Sequence, residues 1–177
     1  MKLKQKSILC LLTVIMLTST GCSPHSAETT EFTIDYYNLS FTTPSGWEKT
    51  DSPNFDIQCS NQDANFSVFA FYTIDLAKDE TPDDIYNYQT TDILTKRDNP
   101  ELIKEMTEKE VNDKIIKTIL YSAERDGQKN YYYSCLVEFK DNPDIFAWVL
   151  INGYPSYIAK NETELLQILE TMEYTPK

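Results

Sequence analysis

Histidine is almost missing from this chain, glycine is scarce, and basic residues are outnumbered by acidic ones. The single histidine, His25, stands near the N-terminus, in a polar stretch without the fixed pocket that a catalytic or metal-bound imidazole needs. That placement removes Ser–His and Cys–His nucleophile pairs, and every histidine-containing metal site, from the rest of the sequence. Four glycines, Gly21, Gly46, Gly127 and Gly153, are too few and too scattered for a G-x-G-x-x-G loop, a Walker A loop or a G-x-S-x-G elbow. With 28 Asp and Glu against 16 Lys and Arg, the chain lacks the basic face that phosphate backbones require, which excludes nucleic acid as a partner. No catalytic, cofactor-binding or metal-ligating set is nominated. What is present is 177 residues, 41% of them hydrophobic, enough for one domain with a substantial core.

The N-terminus carries the clearest signal. Lys2, Lys4 and Lys6 precede an apolar run from Ile8 to Leu17, which contains Cys10; small residues Ser19-Thr20-Gly21 follow, and then Cys22. About ten apolar residues are too few to cross a ~30 Å hydrocarbon core as a helix, so the stretch reads as a signal peptide rather than an anchor. Leu17-Thr18-Ser19-Thr20-Gly21-Cys22 resembles a bacterial lipobox, with Ser19 where leucine is commonest. The resemblance implies that the Cys22 thiol is diacylglycerylated and the chain cut before it. Residues 1–21 are then the lipoprotein signal peptide and 22–31 a polar, lipidated tether; 32–177 form a single domain. Losing the three leader lysines leaves 13 basic against 28 acidic residues, a net charge of −15. Anionic lipid repels such a domain, so membrane attachment rests on the acyl chains at Cys22.

Beyond the tether, apolar and polar residues alternate with strand period. Phe32–Tyr36 and Leu39–Thr42 are joined by Tyr37-Asn38, and Pro44-Ser45-Gly46-Trp47 then breaks the pattern. Phe55–Cys59 and Phe66–Thr73 follow, the second apolar on both faces and so expected at the centre of a sheet. Thr81-Pro82-Asp83-Asp84 has the chemistry of a helix start, and the helix runs to about Arg97–Pro100. The acids Asp79, Glu80, Asp83 and Asp84 lack the alternation and glycine of a calcium loop, and fit dipole compensation instead. Four strand-length runs come next: Leu102–Val111, Lys114–Arg125, Asn130–Lys140 and Ile145–Tyr154. Asn112-Asp113, Asp126-Gly127 and Asp141–Asp144 separate them with good turn chemistry. A last helix is expected from Asn161, with Glu164 three residues on as a capping-box variant and Leu165, Ile168, Leu169 and Met172 as its core stripe. This order predicts an α+β fold, with an antiparallel sheet of six to seven strands in a helix–sheet–helix sandwich.

The segment Tyr37–Trp47, YNLSFTTPSGW, is similar to the opening hairpin of the PsbP/Mog1-like superfamily. The element order agrees over nearly all of residues 32–175. The resemblance implies an α/β/α sandwich with no shared catalytic residues. Members serve as photosystem extrinsic subunits, as partners of a small GTPase or as bacterial lipoproteins, and the leader agrees with the last of these.

Two further features bear on chemistry. Cys59 and Cys135 each lie on an apolar strand face, Cys59 grouped by alternation with Phe55 and Ile57. They are read either as a disulfide, which an exported protein permits, or as two buried thiols acting as small hydrophobes. Tyr131-Tyr132-Tyr133, with Trp47, Trp148, Tyr154 and Tyr157, offer either a stacking surface for a sugar or protein partner, or ordinary core and strand aromatics. Trp47, delivered by the Pro-x-Gly turn, is expected in the core with its indole N–H on a carbonyl. The functional expectation is a membrane-tethered extracytoplasmic lipoprotein acting as a non-enzymatic binding or accessory module, with a protein of the cell envelope as a candidate partner. The competing class is an extracytoplasmic hydrolase using paired carboxylates, which needs a cleft holding two acids ~5–10 Å apart, one of them desolvated.

Overall fold

A computed structural model describes residues 28–176. The leader, Cys22 and His25 lie outside the described residues. Ten strands and two α-helices follow in the order β1 (Thr29–Ile34), β2 (Leu39–Pro44), β3 (Glu48–Thr50), β4 (Ile57–Ser60), β5 (Ala64–Tyr72), α1 (Pro82–Thr95), β6 (Asp98–Val111), β7 (Lys114–Arg125), β8 (Gln128–Phe139), β9 (Ile145–Gly153), α2 (Pro155–Glu170) and β10 (Glu173–Tyr174). Seven strands form one antiparallel sheet in the order β3-β4-β5-β9-β8-β7-β6, and β1-β2-β10 form a small second sheet. The expected α+β sandwich is therefore present, with the three-stranded sheet as an addition. No helix among the described residues is long and apolar enough to cross a membrane.

Strand alternation gives the large sheet two apolar faces. On one face Phe66, Val68, Tyr133, Val149 and Ile151 pack beneath α2, whose Ile158, Leu165, Ile168 and Leu169 are buried, together with Phe32 and Phe41 of the small sheet. On the other face Tyr132, Leu136, Phe146 and Trp148 meet Tyr86 and Ile93 of α1. Helix α1 starts as its sequence dictates. The Thr81 side chain accepts the Asp84 N–H, the Asp84 carboxylate accepts the Thr81 N–H, and Pro82 takes the first turn.

Local differences from the sequence reading have physical causes. Strand β1 begins at Thr29, inside the expected tether, because β-branched Thr29 and Thr30 pair with Pro44 and Thr43. Helix α2 begins at Pro155 rather than Asn161, with proline at the first helical position. Asn161 instead marks a kink (φ −108°, ψ 16°), where its side-chain amide donates to the Tyr157 carbonyl at 2.9 Å. Gly46 has φ +90°, a conformation few other residues tolerate, and the turn it makes delivers Trp47 into the core. Trp47 is 4% exposed and edge-on to Phe66. Its core role holds, but among the described residues its indole N–H has no acceptor.

Candidate functional site

Helix α1 covers only part of its sheet face. Where it stops, the floor changes from apolar to polar within single strands. Strand β9 runs Phe146, Trp148, Leu150 and then Asn152 on this face; β5 runs Phe71, Phe69 and then Ser67 and Asn65. Asn65 stands directly opposite Asn152, Asn152 opposite Tyr132, and Ser67 opposite both Gln58 and Leu150. The result is a cleft of about 800 Å³, within the size range of small-molecule sites. One wall is α1, through Gln89, Asp92 and Ile93. The facing wall is the segment before β4, through Ser52, Asn54 and Phe55, and the β7–β8 hairpin closes one end. Phe55 departs from its expected grouping with Ile57 and Cys59: it turns to this face and stacks on Trp148, centroids 5.9 Å apart and planes 17° apart.

A buried polar chain fixes α1 above this floor. Trp148 Nε1 donates to Ser134 Oγ at 2.8 Å, and the Ser134 and Thr90 hydroxyls are 2.6 Å apart. Thr90 Oγ1 donates to the Tyr86 carbonyl at 2.7 Å. Each hydroxyl has one proton, so Ser134 must donate to Thr90, and the chain runs one way from indole to carbonyl. Every member is satisfied, which makes such a network rigid rather than costly.

Charge at the rim is mostly paired. Lys96 meets Asp92 at 2.6 Å and Arg125 lies 3.6 Å from Asp126. Arg97 has no carboxylate within ion-pair distance among the described residues. Its Nε donates to the Tyr132 hydroxyl at 3.3 Å, an Nη donates to the Lys96 carbonyl at 3.1 Å, and its guanidinium lies 5.6 Å from the Tyr132 ring centre. Asp98 and Glu124 are paired across β6 and β7 at the rim. Asp98 is exposed and Glu124 only half-buried. The carboxyl that burial does push up is Asp56, outside the cleft, where it accepts the Ala70 N–H at 2.8 Å. No group of three or more His, Cys, Asp or Glu able to hold a metal occurs among the described residues.

The cysteine pair is resolved against the disulfide. Cys59 on β4 and Cys135 on β8 are both free and buried. Strands β5 and β9 run between them, three inter-strand steps of ~4.8 Å, or roughly 14 Å, whereas a disulfide needs Cα atoms within ~7 Å. Burial pushes the Cys59 thiol up to about 12 and Cys135 higher still, so neither is a nucleophile at neutral pH. The other sequence candidates spread out. Tyr132 and Tyr133 are buried on opposite faces and Tyr154 is exposed. Asp83 pairs with Lys117 at 2.7 Å, and the Glu80 carboxylate accepts the Ala77 N–H, so these acids order the start of α1.

No protein-family model and no curated protein sequence matches the chain. Solved structures do. A cyanobacterial PsbP (CyanoP) from Synechocystis superposes with a TM-score of 0.61 at 14% identity, covering 87% of this chain and 97% of its own. The Saccharomyces cerevisiae Ran-binding protein Mog1p gives 0.55 at 12%, covering 84% and 96%. The fold is PsbP/Mog1-like. LpqN of Mycobacterium tuberculosis, involved in cell envelope biogenesis, shares it with a TM-score of 0.56 at 10% identity, over 86% of this chain and 88% of LpqN. At these identities the likeness concerns the PsbP/Mog1-like fold alone. The cleft therefore has to be read from its own residues. Sequence reasoning missed it because Gln58, Asn65, Gln89 and Asn152 come from four separate elements. The signal was a polar residue ending an otherwise apolar strand face, in β5 and again in β9.

Proposed function

We propose that this chain is a lipoprotein acylated at Cys22 and held on the outer side of the cell membrane, and that its domain (residues 32–177, with β1 extending it to Thr29) is a non-enzymatic binding module. The observation that carries the binding reading is the walled cleft beside α1. It presents hydrogen-bonding amides over an aromatic floor, while both thiols of the domain are locked in the core. The amides neither gain nor lose a proton near neutral pH, so the cleft is equipped to hold a ligand rather than to transform one. The hydrolase reading is weaker because, of the paired acids, Asp98 is exposed and Glu124 only half-buried, whereas a general acid needs a desolvated site. Mog1p, as a Ran-binding protein, and LpqN, in envelope biogenesis, are precedents for a binding role and an envelope setting on this fold. A protein of the cell envelope is the partner class in view, and nucleic acid is not.

The test joins both halves. Full-length chain expressed in a bacterium with an alkyne-tagged fatty acid should be labelled and sediment with membranes, and Cys22→Ala should lose both properties. Unlabelled wild-type protein would end the lipoprotein reading. Loss of a hydrolytic activity on replacing Asp98 and Glu124 by Asn and Gln would end the non-enzymatic one.

A further inference from the structure

The cleft reading above is the basis for a more specific one, about the chemistry of the occupant. The exposed strand β6 mixes charged side chains, among them Glu101, Lys104 and Glu108, with the apolar Leu102, Ile103 and Met106. The part of the cleft floor built on β4, β5, β8 and β9 carries no charge at all. A surface that only has to meet water gains nothing by excluding charge in so charged a chain.

Carboxamides offer a donor and an acceptor side by side, which suits a ligand made of hydroxyls, each of them both donor and acceptor. Gln58 Nε2 donates to Asn65 Oδ1 at 3.1 Å. That contact orients both amides and leaves Gln58 Oε1 and the Asn65 NH₂ group without a protein partner among the described residues. The side chains of Gln89 and Asn152 likewise make no hydrogen bond to protein there. Beside these groups lies apolar area: half-buried Phe55, parallel to Trp148, and half-buried Phe69. Aromatic faces next to amides suit a pyranose, which has C–H groups on one face and hydroxyls at its edge. The charged rim nearly balances, with Lys96 and Arg125 answering Asp92 and Asp126, and Arg97 set against Asp98 and Glu124, which leaves a single acidic excess.

We propose that the cleft binds a neutral oligosaccharide, its hydroxyls read by Gln58, Asn65, Gln89 and Asn152 and one sugar ring laid on Phe55. Full-length chain in a non-glycosidic detergent is titrated calorimetrically with a β-1,4-linked N-acetylglucosamine tetrasaccharide and, separately, with the matching glucose tetrasaccharide. Saturable binding of at least one probe is expected, unchanged by high salt because no ion pair forms. Asn152→Leu and Gln89→Ala should each weaken it by about ten-fold or more, the loss of one or two good hydrogen bonds. Binding of both probes assigns recognition to the shared pyranose; binding of the acetylated one alone assigns it to the acetamido group. Gln89 sits on α1 outside the core, so its variant stays informative if Asn152→Leu unfolds. Failure of folded wild-type protein to bind either probe, or binding indifferent to both substitutions, overturns the proposal. Binding of an oligo-uronate or a polyamine instead, lost in the same variants, overturns the neutral-sugar assignment while the binding-module reading stands. Shortening of a probe during titration overturns the non-enzymatic reading itself.

Discussion

On its α2 side the large sheet meets apolar partners from β4 to β7, supplied by a helix and by a second, smaller sheet. On its α1 side the apolar cover ends part-way along β5 and β9, and the sequence changes character at that line. The closed side buries Phe66, Val149, Ile151 and Leu165 to 0% exposure; the open side ends in Asn65 and Asn152. The lesson concerns what a partial cover does. One helix over a wide sheet leaves a concavity bounded by its own flank, and the residues beneath the gap are free to follow function rather than packing.

The largest effect should come from the closed side. Trp47→Ala should cost about 3–5 kcal/mol, as large aromatic truncations in cores do, seen as a lower denaturant midpoint. An unchanged midpoint would remove the Trp47–Phe66 contact from the account of that face. The boundary between the two sides is next. Ser134→Ala strands the Trp148 N–H and should cost about 1–3 kcal/mol. The same variant should loosen the cleft, read as a fluorescence shift of Trp148, while a purely local effect would leave the spectrum alone. A smaller change, about 1 kcal/mol, is expected from Thr81→Ala, which removes the helix cap. Amide exchange should then rise in the first turns of α1 and not in α2, and equal rises in both would deny that the two covers are independent.

The smallest effect is electrostatic and belongs to α2. Lys104 and the Tyr133 hydroxyl hold the Glu162 carboxyl below its ordinary value of 4.5. A depressed folded-state value means the ionised form is favoured by folding. The stabilisation is therefore complete above 4.5 and is lost as pH falls through the lower folded value. The stability difference between wild type and Glu162→Gln should be flat from neutral pH to about 5 and should shrink below 4.5. A difference that grew on acidification would contradict the ion pair.

Much of this fold was readable from period and punctuation. Phe66–Tyr72 and Ile145–Ile151 were apolar on both sides and are adjacent at the heart of the sheet; Asp126-Gly127, both at positive φ, makes the β7–β8 turn. What failed was any inference that needed long-range neighbours. Parity put each of Cys59 and Cys135 on an apolar strand face, and both are buried, but strand order separates them, and order is not encoded in alternation. The two-residue β10 has no pattern to detect and is defined by its pairing of Glu173 with Ser40 and Tyr174 with Leu39. Asn161 carried a genuine cap-like signal, which the chain spends on a kink because Pro155 has already begun the helix. Of the site, Trp148 and Tyr132 were noticed as aromatics, whereas its amides were invisible singly and acquire meaning only when four elements bring them together.

The small sheet has a mechanical consequence. Strand β1 is the first element among the described residues, and its whole length is zipped to β2 from Thr29↔Pro44 to Ile34↔Leu39, with Phe32 stacked on Phe41. Strand β10 holds the other edge of β2, and the Thr175 N–H donates to the Asn38 carbonyl. Any pull transmitted through residues ahead of Thr29 is therefore borne first by this ladder. The seven-stranded sheet shares no strand with it. Load from the N-terminal side therefore meets the β1–β2 ladder first, on the sheet face opposite the cleft.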